Sequence, residues 1–305
     1  MKILRIELLL LLLLWAPVGR ISAAPDLGES LTYTLSFRGL LSGFVEIGIA
    51  ELTLSVAPSL GEMAGSPAYS TRMQLTTAPY KKAELIYPIR LDYNSWLDQR
   101  TLQPLVAVKS MDTGKLRQEL FWFDREEARV HHYQTAKSDD SEPGQAVPPQ
   151  RLLRMASLDE DRWSGLRENK TAGLNQGSVI DYMSLLHSMR RLPAEPGKWY
   201  DFTVFSGKKL EYYRIYVDKQ RLIRRGWNRD TLHLTLYEYD PEKEKLKDEI
   251  QAWLSDDDQR LMLRFYAERA AGALEGILDT GRPENGHDEG LSESTRRSLE
   301  TYLGF

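Results

Sequence analysis

The chain has 305 residues, 42% hydrophobic, 28% charged and 10% aromatic, with 40 Lys and Arg against 44 Asp and Glu and no cysteine. This balance is globular rather than disordered. The missing cysteine excludes disulfides, a thiol nucleophile, cysteine-ligated metal clusters and a lipidated cysteine, and a net charge of -4 argues against a general nucleic-acid binder.

Residues 1–23 read as a secretory signal peptide that is cleaved. Lys2 and Arg5 give a positive start, Leu8 to Trp15 are uniformly apolar, and Pro17 and Gly19 break that run before Ile21-Ser22-Ala23-Ala24 supplies small residues for cleavage near Ala23. The apolar run is far short of the ~20 residues that span a bilayer, and no later segment reaches ~18, so no transmembrane segment is expected. The expectation is a periplasmic protein. Loss of Lys2, Arg5, Arg20 and Glu7 leaves 37 basic and 43 acidic side chains, a net -6.

From Leu31 the dominant period is two: Leu31, Tyr33, Leu35 and Phe37 alternate with Thr32, Thr34, Ser36 and Arg38. A second apolar segment, 44–56, changes phase at Ala50 and Glu51, which predicts a bulge. Further strands are predicted at about 68–77, 84–97, 104–111, 117–124 and 128–134, with Asp112-Thr113-Gly114 as one of the turns. Residues 136–150 are polar and rich in proline, and 151–177 have room for one short helix, so 136–177 is read as a loop within the domain. A helix is predicted over 179–191, with Ser178 as N-cap, Asp181 three residues on, and Pro193 ending it. Val179, Tyr182, Met183, Leu186 and Met189 form its apolar stripe, opposite Asp181, Ser184, Ser188 and Arg191.

Strands resume at about 199–205, 210–218, 221–227, 231–239, 246–255, 259–268 and 271–278, with turn chemistry at Ser206-Gly207 and Asp240-Pro241. Residues 280–305 read as a flexible acidic tail, with a short terminal helix possible over 291–303. The expected fold is mainly β: one domain, 24–279, whose antiparallel meander curls into a barrel or half-barrel with the helix plugging it or packed on it.

Most catalytic signatures are absent. There is no Gly-x-Ser-x-Gly elbow, no phosphate-cradling loop, no dinucleotide fingerprint and no His-Glu-x-x-His. His131 and His132 are neighbours on a strand and point to opposite faces, so they do not ligate one metal together; no metal and no cofactor are expected. Asp256-Asp257-Asp258 reads as a tight turn, and Trp253 and Ser255 share the less apolar face of the strand before it.

Charge is unevenly spread. Arg190 to Arg225 holds ten basic residues against four acidic ones, interleaved with Trp199, Tyr200, Phe202, Phe205, Tyr212, Tyr213 and Tyr216. Trp199, Lys208, Lys209, Tyr212, Arg214 and Tyr216 mark a basic-aromatic face suited to an anionic head group or a glycan, against the plainer reading of a solvated sheet face.

Three motifs in order complete the reading: Phe37-Arg38-Gly39-Leu40-Leu41-Ser42-Gly43; the helix Asp181-Tyr182-Met183-Ser184 running to Met189-Arg190 with Pro193 and Gly197 beyond; and Ala252-Trp253-Leu254-Ser255-Asp256-Asp257 with Arg260. Together they resemble the exported bacterial family catalogued as domain of unknown function 3108, over about residues 30–279. The resemblance implies a periplasmic β-rich protein, with a fold-level similarity to the half-barrel of the Lol lipoprotein carriers. It carries over Asp181, Ser184, Arg190, Trp253, Ser255, Asp256, Asp257 and Arg260 as positions that bind a ligand or dock the helix. Leu261-Met262 stands where the family has Pro-Val, so no role for that proline transfers.

The expected function is a non-catalytic binding or carrier protein for an apolar or amphipathic cell-envelope molecule. The alternatives are a scaffold that meets another envelope protein and, third, a hydrolase built on Asp181 and Asp256-Asp257.

Overall fold

The computed structural model describes residues 28–39, 46–63, 66–86, 88–135, 146–156, 158, 163, 165–174, 179–224, 227–269 and 272–279. The predicted signal peptide, the predicted tail from 280 and part of the 136–177 segment lie outside them.

Fifteen strands form one sheet: β1 (Ser30–Gly39), β2 (Ile47–Met63), β3 (Ser66–Thr76), β4 (Arg90–Asp98), β5 (Pro104–Asp112), β6 (Leu116–Asp124), β7 (Arg129–Thr135), β8 (Leu166–Gly173), β9 (Val179–Ile180), β10 (Trp199–Phe205), β11 (Leu210–Arg224), β12 (Trp227–Asp240), β13 (Lys245–Ser255), β14 (Met262–Arg269) and β15 (Gly272–Leu278). Among the described residues three helices accompany them: α1 (Lys81–Ile86), α2 (Gln150–Met155) and α3 (Tyr182–Arg190). The strand order is β8-β7-β6-β5-β4-β3-β2-β1-β15-β14-β13-β12-β11-β10-β9. Two antiparallel meanders therefore meet at β1 and β15, in register from Tyr33 opposite Leu278 to Gly39 opposite Gly272.

The predicted bulge is present one residue from its expected place. Leu35 faces Ala50 but Ser36 faces Gly48, which leaves Ile49 as the extra residue on β2. The turns follow their chemistry, with Gly114 and Gly207 both at positive φ.

Four expectations are corrected. Residues 84–97 are not one strand: α1 occupies 81–86 and β4 starts at Arg90. Residues 210–218 and 221–227 are not two strands, because β11 runs unbroken through Lys219, Gln220 and Arg221 to Arg224. The 136–177 segment contains α2, and also strand β8, which the sequence did not suggest. Helix α3 is shorter than 179–191, since Val179 and Ile180 form β9 in parallel with β10 and Asp181 is the N-cap. Ser178, the expected cap, lies outside the described residues.

The sheet is not closed, because no ladder joins β8 to β9. Its two ends nevertheless approach each other. Lys170 on β8 donates to the Lys208 carbonyl in the β10–β11 turn at 2.9 Å, and Phe121 on β6 meets Phe205 on β10 edge to face at 6.2 Å. Helix α3 fills the space between the two halves. Leu185 and Met189 join a core with Leu31, Tyr33, Leu54, Ile215, Leu234 and Leu254, while Met183 joins another with Tyr93, Phe121, Phe123 and Phe205. Burial of such side chains contributes about 1.5–3 kcal/mol each, an upper bound given a compact unfolded chain. On the opposite face of the first meander, α2 and Trp163 cover Trp96, Val106, Leu120 and Tyr133 as a separate core.

Candidate functional site

The residues shared with the family motifs gather along α3 and at the turn after β13. Asp181 caps α3: its carboxylate accepts from the Ser184 amide at 2.7 Å and from the Tyr93 hydroxyl at 3.0 Å. The cap satisfies a donor that a helix start otherwise leaves unpaired. Asp181 and Ser184 were placed on the polar face by their spacing, yet they are 1% and 0% exposed, so that face is buried as well. Tyr182, from the predicted apolar stripe, is exposed instead, and its hydroxyl donates to Glu211 at 2.8 Å.

At the other end of α3, Arg190 holds Glu29 through both guanidinium amino groups, at 2.5 and 2.8 Å, and donates to the Gln259 carbonyl at 3.0 Å. Burial alone would depress the guanidinium, but Glu29 outweighs it and raises the pKa. Of the two motif arginines near the Asp256-Asp257 turn, Arg260 binds the Asp256 carboxylate at 2.9 Å, whereas Arg190 reaches the turn through the Gln259 carbonyl and has as its bidentate partner Glu29, which no sequence motif indicated. His187 lies beside this pair, fully buried, with neither ring nitrogen hydrogen-bonded; burial, then Arg190 and Arg191, pushes its pKa down to about 3.

The turn after β13 uses its own acids. Asp257 accepts from the Ser255 hydroxyl at 2.6 Å and from the amides of Gln259 and Arg260. Asp256 pairs with Lys219 at 2.8 Å and Arg260 at 2.9 Å, and these cations outweigh burial to lower its pKa. Trp253 is buried: its Nε1 donates to Gln220 at 2.7 Å, and Arg264 lies 4.1 Å above its ring. Asp181 and this turn sit at opposite ends of a nine-residue helix, about 13 Å apart by helix rise. That exceeds the ~5–10 Å separation of a working carboxylate pair.

The basic-aromatic segment separates into pairs. Arg214 binds Asp201 at 2.8 Å and lies over Tyr239, Lys209 faces Glu238 at 3.5 Å, and Arg224 binds Glu275 at 2.6 Å and Glu46 at 2.8 Å. Three cations of the positive run are therefore paired with acids that the fold brings beside them. Trp199 stays 47% exposed, with its ring 4.9 Å from Tyr216 and 5.9 Å from Tyr237. Tyr212 sits opposite Tyr239 on the same strands, and Lys208 is exposed in the β10–β11 turn.

His131 and His132 do point to opposite faces. His132 stacks on Phe121 in the interior and approaches Glu119 at 3.2 Å, while His131 stacks on Trp122 outside.

Open space divides sharply. Around α3 the void bounded by Glu29, Tyr33, Met183, His187 and Arg190 is only about 10 Å3, the size of one water. Among the described residues a large concavity lies on the outer face of β2–β5, in two lobes of about 580 and 450 Å3 that share Asp92 and Ser110. Its floor is polar: Ser70 donates to Asn94 at 3.0 Å, and Arg72 holds Asp92 bidentately at 2.8 and 2.5 Å. Leu158 and Trp163 line one lobe; Leu91 and Leu116 line the other. Sequence reasoning missed this groove, because its residues alternate with core residues and look like any solvated strand face.

Comparison with known proteins agrees with this architecture. A family described as "Protein of unknown function (DUF3108)" matches residues 32–152 and 154–279. Among solved structures, the chain is similar to a β-barrel-like protein of domain of unknown function DUF1849 from Brucella abortus, at 10% identity and a TM-score of 0.51, over 84% of this chain and 98% of that one. That likeness concerns the fold alone. No curated protein matches the chain.

Proposed function

The chain belongs to the DUF3108 family, and we propose that it is an exported, non-catalytic binding or carrier protein for an amphipathic molecule of the cell envelope. The observation that carries this reading is the two-lobed groove on β2–β5. A floor of hydroxyls, an amide and one ion pair suits a polar head, and the leucines and Trp163 at the lobes suit an apolar portion. The packed surroundings of α3 support the groove, rather than the inside of the curl, as the binding surface. The N-terminal charge, apolar run and small-residue sequence support export.

The test is to purify the protein gently from its native envelope, extract it with organic solvent and identify what comes off by mass spectrometry. An amphiphile is expected at near one per chain, and Asn94→Trp, which fills the floor, and Arg72→Ala, which removes the cation of the first lobe, are expected to reduce the yield while thermal unfolding stays close to wild type. Absence of any ligand from the wild type, or equal recovery from both folded variants, would overturn the reading.

A second reading, a scaffold for another envelope protein, is favoured by exposed Trp199 packed on the half-buried Tyr216 and Tyr237, since aromatic surface is enriched at interfaces. Photocrosslinking from position 199 in cells decides it. A discrete protein adduct supports a scaffold, and adducts to lipid alone remove it.

A further inference from the structure

The β6–β7 hairpin carries a group of ligand atoms that the function above does not use. Asp124, Glu127 and His131 each bring one carboxylate oxygen or ring nitrogen to within 4.8 Å of the others. Asp124 ends β6, Glu127 lies in the turn, and His131 projects from β7 opposite Trp122, so one short hairpin supplies all three.

The hydrogen bonding around this group leaves it short of a positive charge. His131 Nδ1 lies 2.7 Å from Glu168 on β8, and that contact to a carboxylate places the proton on Nδ1. Nε2 is then the ring nitrogen left to face a cation. It is shielded from solvent, has no hydrogen-bond partner, and lies 3.8 Å from a Glu127 oxygen. Asp124 is 6% exposed; its Oδ1 accepts from the amides of Glu126 and Glu127, while no donor among the described residues reaches Oδ2. Three carboxylates, Asp124, Glu127 and Glu168, thus surround one imidazole. Among the described residues no lysine or arginine forms an ion pair with any of them. The adjacent Arg125 turns away, towards the carbonyls of Pro104 and Val179.

We propose that Asp124, Glu127 and His131 form a binding site for a divalent cation of the zinc class. One imidazole and two carboxylates suit such a borderline ion, with water completing the shell. Glu168 holds the ring from behind, as a carboxylate does for a metal-bound histidine, and Trp122, with its ring centroid 4.9 Å from that of His131, fixes the ring plane. Bonds of about 2.0–2.2 Å place tetrahedral ligand atoms about 3.4 Å apart. Glu127, 61% exposed, is the ligand that swings in to close the gap.

The test uses the full mature chain, untagged and stripped with chelator, dialysed against zinc chloride, with bound metal counted by mass spectrometry. One zinc per chain is expected, together with a rise in unfolding temperature. Glu127→Gln removes a surface ligand without disturbing the core and is expected to weaken binding at least about tenfold, and Glu168→Gln by about 10–100-fold through loss of ring positioning. Glu242→Gln, an exposed acid elsewhere, is expected to bind as wild type does. If the wild type takes up no zinc, or Glu127→Gln binds it equally well, the proposal fails and His131 is held by a proton instead.

Discussion

Arg190 and Glu29, 161 residues apart in sequence, share two hydrogen bonds of 2.5 and 2.8 Å, with side chains only 11% and 3% exposed. This contact ties the last turn of α3 to the residue just before β1. Removing one partner strands a buried charge, so Glu29→Gln is expected to destabilise the protein by about 3–5 kcal/mol in urea unfolding. Replacing both residues with methionine is expected to cost less than either single change, because no charge is then left unpaired.

The start of α3 has a comparable dependence on Asp181. Asp181→Ala removes a helix cap, an effect of about 0.5–2 kcal/mol, and also leaves the buried Tyr93 hydroxyl without its acceptor. Tyr93→Phe removes only the second contact. A double-mutant cycle between them is expected to show coupling of about 0.5–3 kcal/mol; additive effects would mean the hydrogen bond contributes nothing to stability.

His187 makes stability depend on pH. Its pKa is about 3 in the fold, against about 6.5 when unfolded, so in that window the unfolded chain takes up a proton and the native one does not. Stability therefore falls as pH drops below 6.5, by about 2 kcal/mol between pH 8 and pH 5. His233, also lowered by burial, acts in the same direction. Glu119 contributes only at more acid pH. Burial opposes its ionisation, but His132 and Lys109 outweigh that and hold it at about 2, so its stabilisation is lost below the ordinary carboxylate range. Denaturant midpoints measured from pH 8 to 5 are expected to flatten in His187→Leu.

Gly276 on β15 faces Phe265 on β14, and a methyl group there would lie 2.1 Å from the ring. The ring packs 6.0 Å from Tyr33, in the main core. Gly276→Ala must displace it, and is expected to cost about 1–3 kcal/mol in thermal or urea unfolding. A neutral substitution would show that Phe265 has room to move.

The sequence made the strands legible because one-sided burial leaves a period of two, and thirteen of the fifteen strands follow it closely enough to be placed, at least in part. What it hid has particular causes. Helix α1 is a single short stretch with Leu85 exposed, too brief to show a helical face, so its apolar residues merged into the next strand. Strand β8, with Glu168, Asn169 and Lys170 in its middle, has little apolar alternation to read. For α3 the amphipathic pattern pointed Asp181 and Ser184 to water; the sheet wraps the helix on that side too, and Tyr93 meets the carboxylate there. Motif similarity brought attention to Arg190 and the Asp256-Asp257 turn, but only three dimensions supply Glu29, which stands alone in a stretch with no signal of its own. Part of the counter-charge of the run from Arg190 to Arg225 was hidden for the same reason: Glu238, Glu46 and Glu275, which pair with Lys209 and Arg224, lie outside it in sequence.

The seam between β1 and β15 also orders events in time. In chain order β1 opens the described sheet and β15 ends it, so each meander can zip up locally while the middle of the sheet waits for residue 278. Until then β1 has an open edge, an aggregation hazard for any form of the chain in which β15 is not yet in place. Truncations that remove β15 therefore take out the keystone rather than the fringe, whereas joining the termini and opening the chain between β7 and β8 would move the cut to the periphery of the sheet.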